Sequence, residues 1–93
     1  MASTLLQHVL NWNKHIVSLV DADDWDGAAR IIARREIAIR DANPTQPDEI
    51  QALLDANEWL REILESRRRE RRESLQALRQ RQHARNAYAS NAA

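Results

Sequence analysis

At 93 residues the chain is long enough for one small domain, and its composition excludes several classes of protein. A single Gly and two Pro leave little to build hairpins, the lack of Cys excludes disulfides and thiolate chemistry, and no stretch approaches the roughly 20 apolar residues of a membrane span. The formal charge is zero, yet residues 1–60 carry five Lys/Arg against ten Asp/Glu, and residues 61–93 carry nine Arg against four Glu. We therefore expect an all-α intracellular protein, not inserted in a membrane, with an acidic front and a basic back.

The first predicted helix spans about residues 4–21. Ser3 or Thr4 serves as its N-cap, because a short polar side chain accepts a hydrogen bond from a free N–H group of the first turn. Apolar residues then recur at spacings of four and three, which indicates one buried helix face. These residues are Leu5, Val9, Trp12, Ile16 and Leu19.

The second predicted helix spans about residues 24–42. Asp23 or Asp24 caps its start, and an acidic side chain there also complements the positive end of the helix dipole. The helix stops before Asn43-Pro44, since the residue that precedes a proline is pushed out of the helical region. Trp25 lies on the predicted buried face and is interpreted as a core residue, as is Trp12 of the first helix.

The third predicted helix spans about residues 47–89. Thr45 and Pro47 mark its start, and neither Gly nor Pro interrupts it afterwards. At 1.5 Å per residue it is roughly 60 Å long, against about 30 Å for the first helix. The sequence thus predicts one helical domain over residues 1–93. Its fold is an antiparallel three-helix bundle whose long C-terminal helix overshoots the other two, and a four-helix arrangement stays open if this helix breaks near Ser66.

Apolar residues on the third helix are the candidate binding surface. The first part of this helix is apolar over more than half of its circumference, whereas the second part has only a thin apolar stripe. Trp59 lies away from the main stripe, so it is a candidate anchor for a partner. The predicted partner-binding residues are those that the two short helices are not expected to reach: Trp59, Leu60, Leu64, Leu75, Leu78 and Tyr88.

Catalytic, metal-binding and cofactor-binding patterns are missing from the sequence. Asp21–Asp26 superficially resembles a calcium loop, but Asp26 and Ile32 stand where such a loop needs Gly and Glu. His8 and His15 are seven residues apart, whereas metal-binding histidine pairs on helices are four apart. We therefore expect no enzyme activity, no metal and no cofactor.

Three short motifs along the chain resemble those of the FliT-like flagellar export chaperones. They are Asp24-Trp25-Asp26 at the start of the second helix, Arg35-Glu36 within it, and Arg85-Asn86-Ala87-Tyr88 near the end of a long Leu/Arg helix. The resemblance covers roughly residues 5–88. It implies a chaperone of the bacterial cytosol that binds the C-terminal helical segment of the filament-cap protein, prevents its premature assembly and delivers it to the export gate. It also places Tyr88 at the position associated with docking to the export apparatus.

Two other functions are compatible with the same residues. The overshooting helices of two chains could pair as a coiled coil, which would make the protein a homodimeric adaptor or structural protein. The Arg-rich run from Arg67 to Arg72 could instead bind nucleic acid through phosphates. Glutamates interrupt that run, however, and form opposite-charge pairs with it, so a solvated helix face or a docking patch for an acidic protein explains it better.

Overall fold

The computed structural model describes residues 3–91, which form three helices and, within that range, no strand. Helix α1 is Thr4–Asp21, α2 is Trp25–Ala42 and α3 is Pro47–Asn91. The predicted all-α fold with a long C-terminal helix is therefore confirmed. Helix α3 runs through Ser66 without a break, and at 1.5 Å per residue its 45 residues span about 67 Å. It accounts for the 70 Å long axis of the molecule.

Side-chain caps begin the first two helices. The Ser3 hydroxyl accepts a hydrogen bond from the Leu6 backbone N–H at 3.0 Å. The Asp24 carboxylate accepts one from the Gly27 N–H at 2.9 Å. Each cap satisfies one of the backbone donors that a helix leaves without a partner in its first turn.

The end of α2 is set by backbone geometry. Asn43 takes the left-handed conformation, with φ of 46°, and its N–H donates to the carbonyls of Ile39 and Arg40. Asparagine tolerates this conformation better than most residues do, and Pro44 then prevents the helix from continuing. The short connection to α3 turns the chain back along the bundle.

The bundle is held together mainly through α1. Asn13 bonds to Ala56, and Asp21 bonds to Arg67, so α1 and α3 run in the same direction while α2 runs opposite to both. Helix α1 packs against α2 and against α3, but among residues 3–91 no Cα atom of α2 lies within 8 Å of one of α3. Helices α2 and α3 therefore lie farther apart than the other two pairs of helices and leave a groove between them.

Two apolar clusters form the core. The first consists of Ile16, Val20, Ala28, Leu60 and Leu64. The second consists of Val9, Leu53 and Ala56. Trp25 packs against the first cluster and Trp12 against the second, but both indoles are only half-buried. The two tryptophans thus close the edges of the core and do not lie at its centre.

A polar layer separates the two clusters. The Arg35 side chain is only 5% exposed, and its Nε–H donates to the Asn13 Oδ1 at 2.8 Å. The Asn13 amide in turn donates to the Ala56 carbonyl at 3.1 Å, and a second nitrogen of Arg35 donates to Asn57. Burial lowers the pKa of Arg35 below its usual value, an effect that Glu36 partly opposes. Because the network joins all three helices and needs correct geometry, it favours one register of the bundle.

Candidate interaction surface

The last contacts between α3 and the rest of the bundle lie near the α1–α2 turn. Arg67 pairs with Asp21 at 2.7 Å, and Arg71 approaches Asp23 at 3.9 Å. Within the described residues, no hydrogen bond or ion pair joins the segment after Arg71 to α1 or α2. Residues 72–91, here called the projecting segment, form a single helix about 30 Å long. Its first turn lies beside Trp25, and the remainder extends beyond the bundle.

The projecting segment exposes apolar side chains. Leu75 is 45% exposed, Leu78 is 56% exposed and Tyr88 is 78% exposed. On a helix with 100° per residue, Leu75 and Leu78 continue the arc that Leu60 and Leu64 occupy inside the bundle. The arc is thus buried where α1 and α2 cover it and open to solvent beyond them.

The structure divides the six predicted partner-binding residues into two groups. Trp59 is 47% exposed and, like Leu75, Leu78 and Tyr88, is accessible. Leu60 and Leu64 are only 5% and 8% exposed, because Ile16, Val20 and Ala28 pack against them. The expectation that the short helices do not reach Leu60 and Leu64 is wrong. These two leucines are core residues, and only a small part of each side chain reaches the surface.

Trp59 lines an apolar groove between α1 and α3, on the side of the bundle away from α2. The groove has a volume of about 490 Å³, and Lys14 and Asp55 stand among its lining residues. Leu10 at its edge is 42% exposed. The apolar lining consists of Leu6, Leu10, Ala52, Ala56 and Trp59.

The opposite groove, between α2 and α3, is a surface that sequence reasoning missed. Its apolar lining is Ile32, Ile39, Leu60 and Leu64, and the cations around it are Arg35, Arg40, Arg61 and Arg68. The spacing of seven between Ile32 and Ile39 indicates a buried face of α2. Helical periodicity carries no information on the distance between α2 and α3, however, so the opening between them had no signal in the sequence.

Trp25 anchors the α1–α2 turn against the basic run of α3. Its indole lies beneath the guanidinium groups of Arg68 and Arg71, 5.6 and 5.8 Å from the ring centroid. Its Nε1–H donates to Asp23 at 3.2 Å. The hydrogen bond with Asp21 raises the pKa of Arg67 above its usual value. Part of the basic run therefore serves to attach α3 to the turn, which weakens the case for a nucleic-acid site.

Charge pairs also form along α3 itself. Arg61 donates to Glu58 at 2.6 Å and to Glu65 at 3.2 Å, and Arg67 lies 3.6 Å from Glu70. The hydrogen bond from Arg61 holds the pKa of Glu58 below its usual value. Such pairs at spacings of three and four support a solvent-exposed helix.

Other kinds of site have little support in the described residues. Between residues 3 and 91, no three His, Cys, Asp or Glu side chains come together as a metal-binding group. The ring of His8 instead lies against Trp12, with 5.9 Å between the centroids. No helix in the same range combines the length and apolar character needed to cross a membrane.

Comparison with known proteins gives one match. The family model of flagellar protein FliT matches residues 3–91. No curated protein and no solved structure matches the chain. The matched range takes in all three helices, and therefore both the bundle and the projecting segment.

Proposed function

Since this chain belongs to the FliT family of flagellar export chaperones, we propose that it binds the C-terminal helical segment of the filament-cap protein in the bacterial cytosol. Binding would keep that segment from assembling early and would deliver the subunit to the export gate. The family membership agrees with the resemblance inferred from the sequence. The identity of the client and the delivery step are the proposal.

The observation that carries the proposal is the exposed apolar stripe of the projecting segment. Leu75 lies at the edge of the bundle and Leu78 lies beyond it, and the two side chains are 45% and 56% exposed. A helix in water gains nothing from such residues, whereas an amphipathic client helix laid alongside would bury them. Full burial of a leucine side chain contributes about 1.5–3 kcal/mol, so burial of both leucines would contribute roughly 3–6 kcal/mol to binding.

The open end of the bundle extends this surface. Leu75 shares a cavity with Trp25 and with arginines of α3, among them Arg68 and Arg72. A client helix that lies on Leu78 and Leu75 would therefore meet an indole and several cations at the bundle. This chemistry fits a client helix with an apolar face and acidic residues beside it.

The test replaces Leu75 and Leu78 together by Ser. We expect the helical circular-dichroism signal to stay nearly unchanged, because neither residue belongs to the core. Binding to the purified C-terminal segment of the filament-cap protein should weaken at least about 100-fold, as two leucines lose their burial. The matched control is Gln76→Ser with Gln80→Ser, two exposed positions on the same segment. Binding that survives the leucine replacements would place the client site elsewhere.

Tyr88 is proposed to serve delivery to the export gate. It is 78% exposed and lies close to the end of the projecting segment, about 20 Å beyond Leu75 at 1.5 Å per residue. Tyr88→Ala should leave the affinity for the client within about twofold, and it should reduce secretion of the filament-cap protein. Normal secretion with Tyr88→Ala would remove this residue from the delivery step.

A further inference from the structure

We propose that Arg35 binds a carboxylate of the client, on a client helix that continues from the projecting segment into the groove between α2 and α3. The inference rests on the proposed function, because the client is the occupant of the groove, and it adds which chemical group the client helix carries and where. Three observations support it: a buried cation without a counter-ion, an apolar groove beside that cation, and a surface that leads from the groove to Leu75.

Arg35 is a buried cation that forms no ion pair with any carboxylate of residues 3–91. Its side chain is only 5% exposed. Its Nε and one terminal nitrogen donate to the side-chain oxygens of Asn13 and Asn57, which are neutral acceptors. Glu36 follows it in the chain but is exposed. A charge that is removed from water without an opposite charge is costly, so a carboxylate from outside the fold would be stabilised here.

The guanidinium of Arg35 keeps one nitrogen available to a partner. Within residues 3–91 its second terminal nitrogen donates to no protein group, and in that range no fully buried side-chain nitrogen or oxygen lacks a hydrogen-bond partner. That nitrogen is therefore accessible, and the opening that Arg35 lines is the groove between α2 and α3, with a volume of about 530 Å³. Charge-assisted hydrogen bonds from a guanidinium to a carboxylate are about twice as strong as those between neutral groups.

The walls of this groove suit an apolar helix. Four aliphatic side chains line it, and in the part of the chain that the structure describes no Cα atom of α2 lies within 8 Å of one of α3. A helix that packs between α2 and α3 would contact both walls, as the fourth helix of a bundle does. The carboxylate that reaches Arg35 therefore lies among apolar residues of the client helix. The aliphatic lining consists of Ile32, Ile39, Leu60 and Leu64.

Arg68 connects the groove with the surface beyond the bundle. It lines the groove between α2 and α3, and it also lines the cavity that contains Leu75. From Asn57, at the level of Arg35, to Leu78 the helix α3 advances 21 residues, or about 31 Å. A client helix of about 20 residues can therefore cover the groove, the cavity and the exposed leucines together.

The same path predicts a second carboxylate on the client. Arg68 forms no ion pair within residues 3–91, whereas Arg61, which also lines the groove, already pairs with two glutamates of α3. Along α3, Arg68 lies 11 residues from Asn57, a distance of about 16 Å. Residues about 11 apart on an α-helix differ by only about 20° in direction, so one face of the client helix can present both carboxylates.

The test measures, by titration calorimetry, the affinity of the purified chain for the C-terminal segment of the filament-cap protein. Every Asp and Glu of that segment is replaced singly by its amide, so the chain itself stays unaltered. We expect two of these replacements, about 11 positions apart, to weaken binding at least about tenfold, because each leaves a desolvated cation without its partner. If no amide replacement weakens binding to this extent, the inference is overturned.

Variants of the chain assign each carboxylate to its cation. In Arg35→Met one of the two amide replacements should lose its effect, and in Arg68→Glu the other should. Arg30→Glu is the matched control for the charge change, since Arg30 is exposed and lies roughly 160° around α2 from Ile32. Amide replacements that keep their full effect in Arg35→Met would contradict the role of Arg35. The amide replacements need no change at Arg35, so the test does not depend on the folding of Arg35→Met.

Cross-linking identifies what fills the groove. The chain has no Cys of its own, so Arg40→Cys, at the exposed edge of the groove, can carry a photoactivated cross-linker. We expect this position to cross-link to the client segment, and Arg30→Cys on the opposite face of α2 to give no such product. A cross-link from Arg40→Cys to a second copy of the chain, with the client segment present, would mean a different occupant and would overturn the proposal.

The result also separates this proposal from the proposed function. Loss of binding with Leu75→Ser and Leu78→Ser, while every amide replacement binds normally, would keep the client surface and overturn the role of Arg35. Binding that survives the leucine replacements but weakens with the two amide replacements would contradict the exposed stripe and support the groove. A segment that does not bind the chain at all would contradict both.

Discussion

The guanidinium of Arg35 donates a hydrogen bond to the side-chain oxygen of Asn13, 2.8 Å away, in the buried layer between the two apolar clusters. Both side chains are buried, so their polar atoms depend on hydrogen-bond partners within the protein. Asn13 is 1% exposed, and it also donates to the carbonyl of Ala56. The pair thus holds α1, α2 and α3 together at one point.

Asn13→Ala is expected to lower the free energy of unfolding by about 2–3 kcal/mol, because it leaves a buried cation without one of its acceptors. Urea unfolding followed by circular dichroism measures this change. Asn11→Ala is the matched control, an exposed asparagine on the same helix, and should change stability by less than about 0.5 kcal/mol. Equal effects of the two substitutions would show that the polar layer contributes nothing.

Substitutions of Asn13 and Arg35 are expected to have non-additive effects on the free energy of unfolding. Asn13→Leu alone strands the Arg35 guanidinium, whereas Asn13→Leu combined with Arg35→Met removes the charge as well. The double variant should therefore lose less stability than the sum of the two single variants, by at least about 1 kcal/mol. Additive losses in the double-mutant cycle would contradict the hydrogen-bonded layer.

Replacing a leucine of α3 by alanine should destabilise the protein much more inside the bundle than on the projecting segment. Leu60→Ala should cost about 3 kcal/mol of stability, since it opens a cavity beside Ile16 and Val20. Leu78→Ala, on the projecting segment, should cost less than about 0.5 kcal/mol. Thermal or urea unfolding compares them directly. Similar costs would mean that the projecting segment packs against the bundle in solution.

At the start of α2, the effect of replacing Gly27 on stability is expected to depend on whether Asp24 is present. Asp24→Ala should cost about 1 kcal/mol through loss of the cap. A Cβ atom at Gly27 would lie 2.8 Å from the Asp24 Cγ, so Gly27→Ala displaces the cap while it gains helix propensity. Gly27→Ala should be nearly neutral in the wild type, and should stabilise the Asp24→Ala variant by about 0.5–1 kcal/mol. The same effect in both backgrounds would argue against the close approach.

The pair of Glu58 and Arg61 predicts a pH dependence. The pKa of Glu58 is lowered by the hydrogen bond from Arg61, so its contribution to stability is present above the unfolded pKa of about 4.3 and is lost as the pH falls through the folded pKa. Glu58→Gln should therefore melt below the wild type at pH 7, and the difference should vanish in acid.

The control for this prediction is Glu58→Gln in a variant that lacks the Arg61 guanidinium. In an Arg61→Gln background, Glu58→Gln should cause no pH-dependent change in melting temperature. A difference that persists there would point to another group as the partner of Glu58.

Much of the fold follows from local signals in the chain. Ser3, Asp24 and the Asn43-Pro44 pair mark helix ends, because capping and proline geometry act over a few residues. The absence of Gly and Pro after Asp48 gave the long α3, and its length exceeds anything that two 18-residue helices can cover. The exposed stripe at Leu75 and Leu78 was predictable from that mismatch.

The polar layer and the grooves were not predictable in the same way. Arg35 and Asn57 belong to helices whose Cα atoms stay more than 8 Å apart, and only the packed bundle brings their side chains together. Helical periodicity specifies the direction of a side chain around its own axis, but it does not specify which neighbour lies in that direction or how far away.

By itself, then, the sequence determined three helices, their ends and a last helix too long for its neighbours. The tertiary structure alone decided where the apolar arc of α3 changes from core to surface. Leu60 and Leu78 share that arc, and nothing local distinguishes them. The physical reason is that burial depends on where α1 ends and α2 begins, and this turn meets α3 at Arg67 and Arg71.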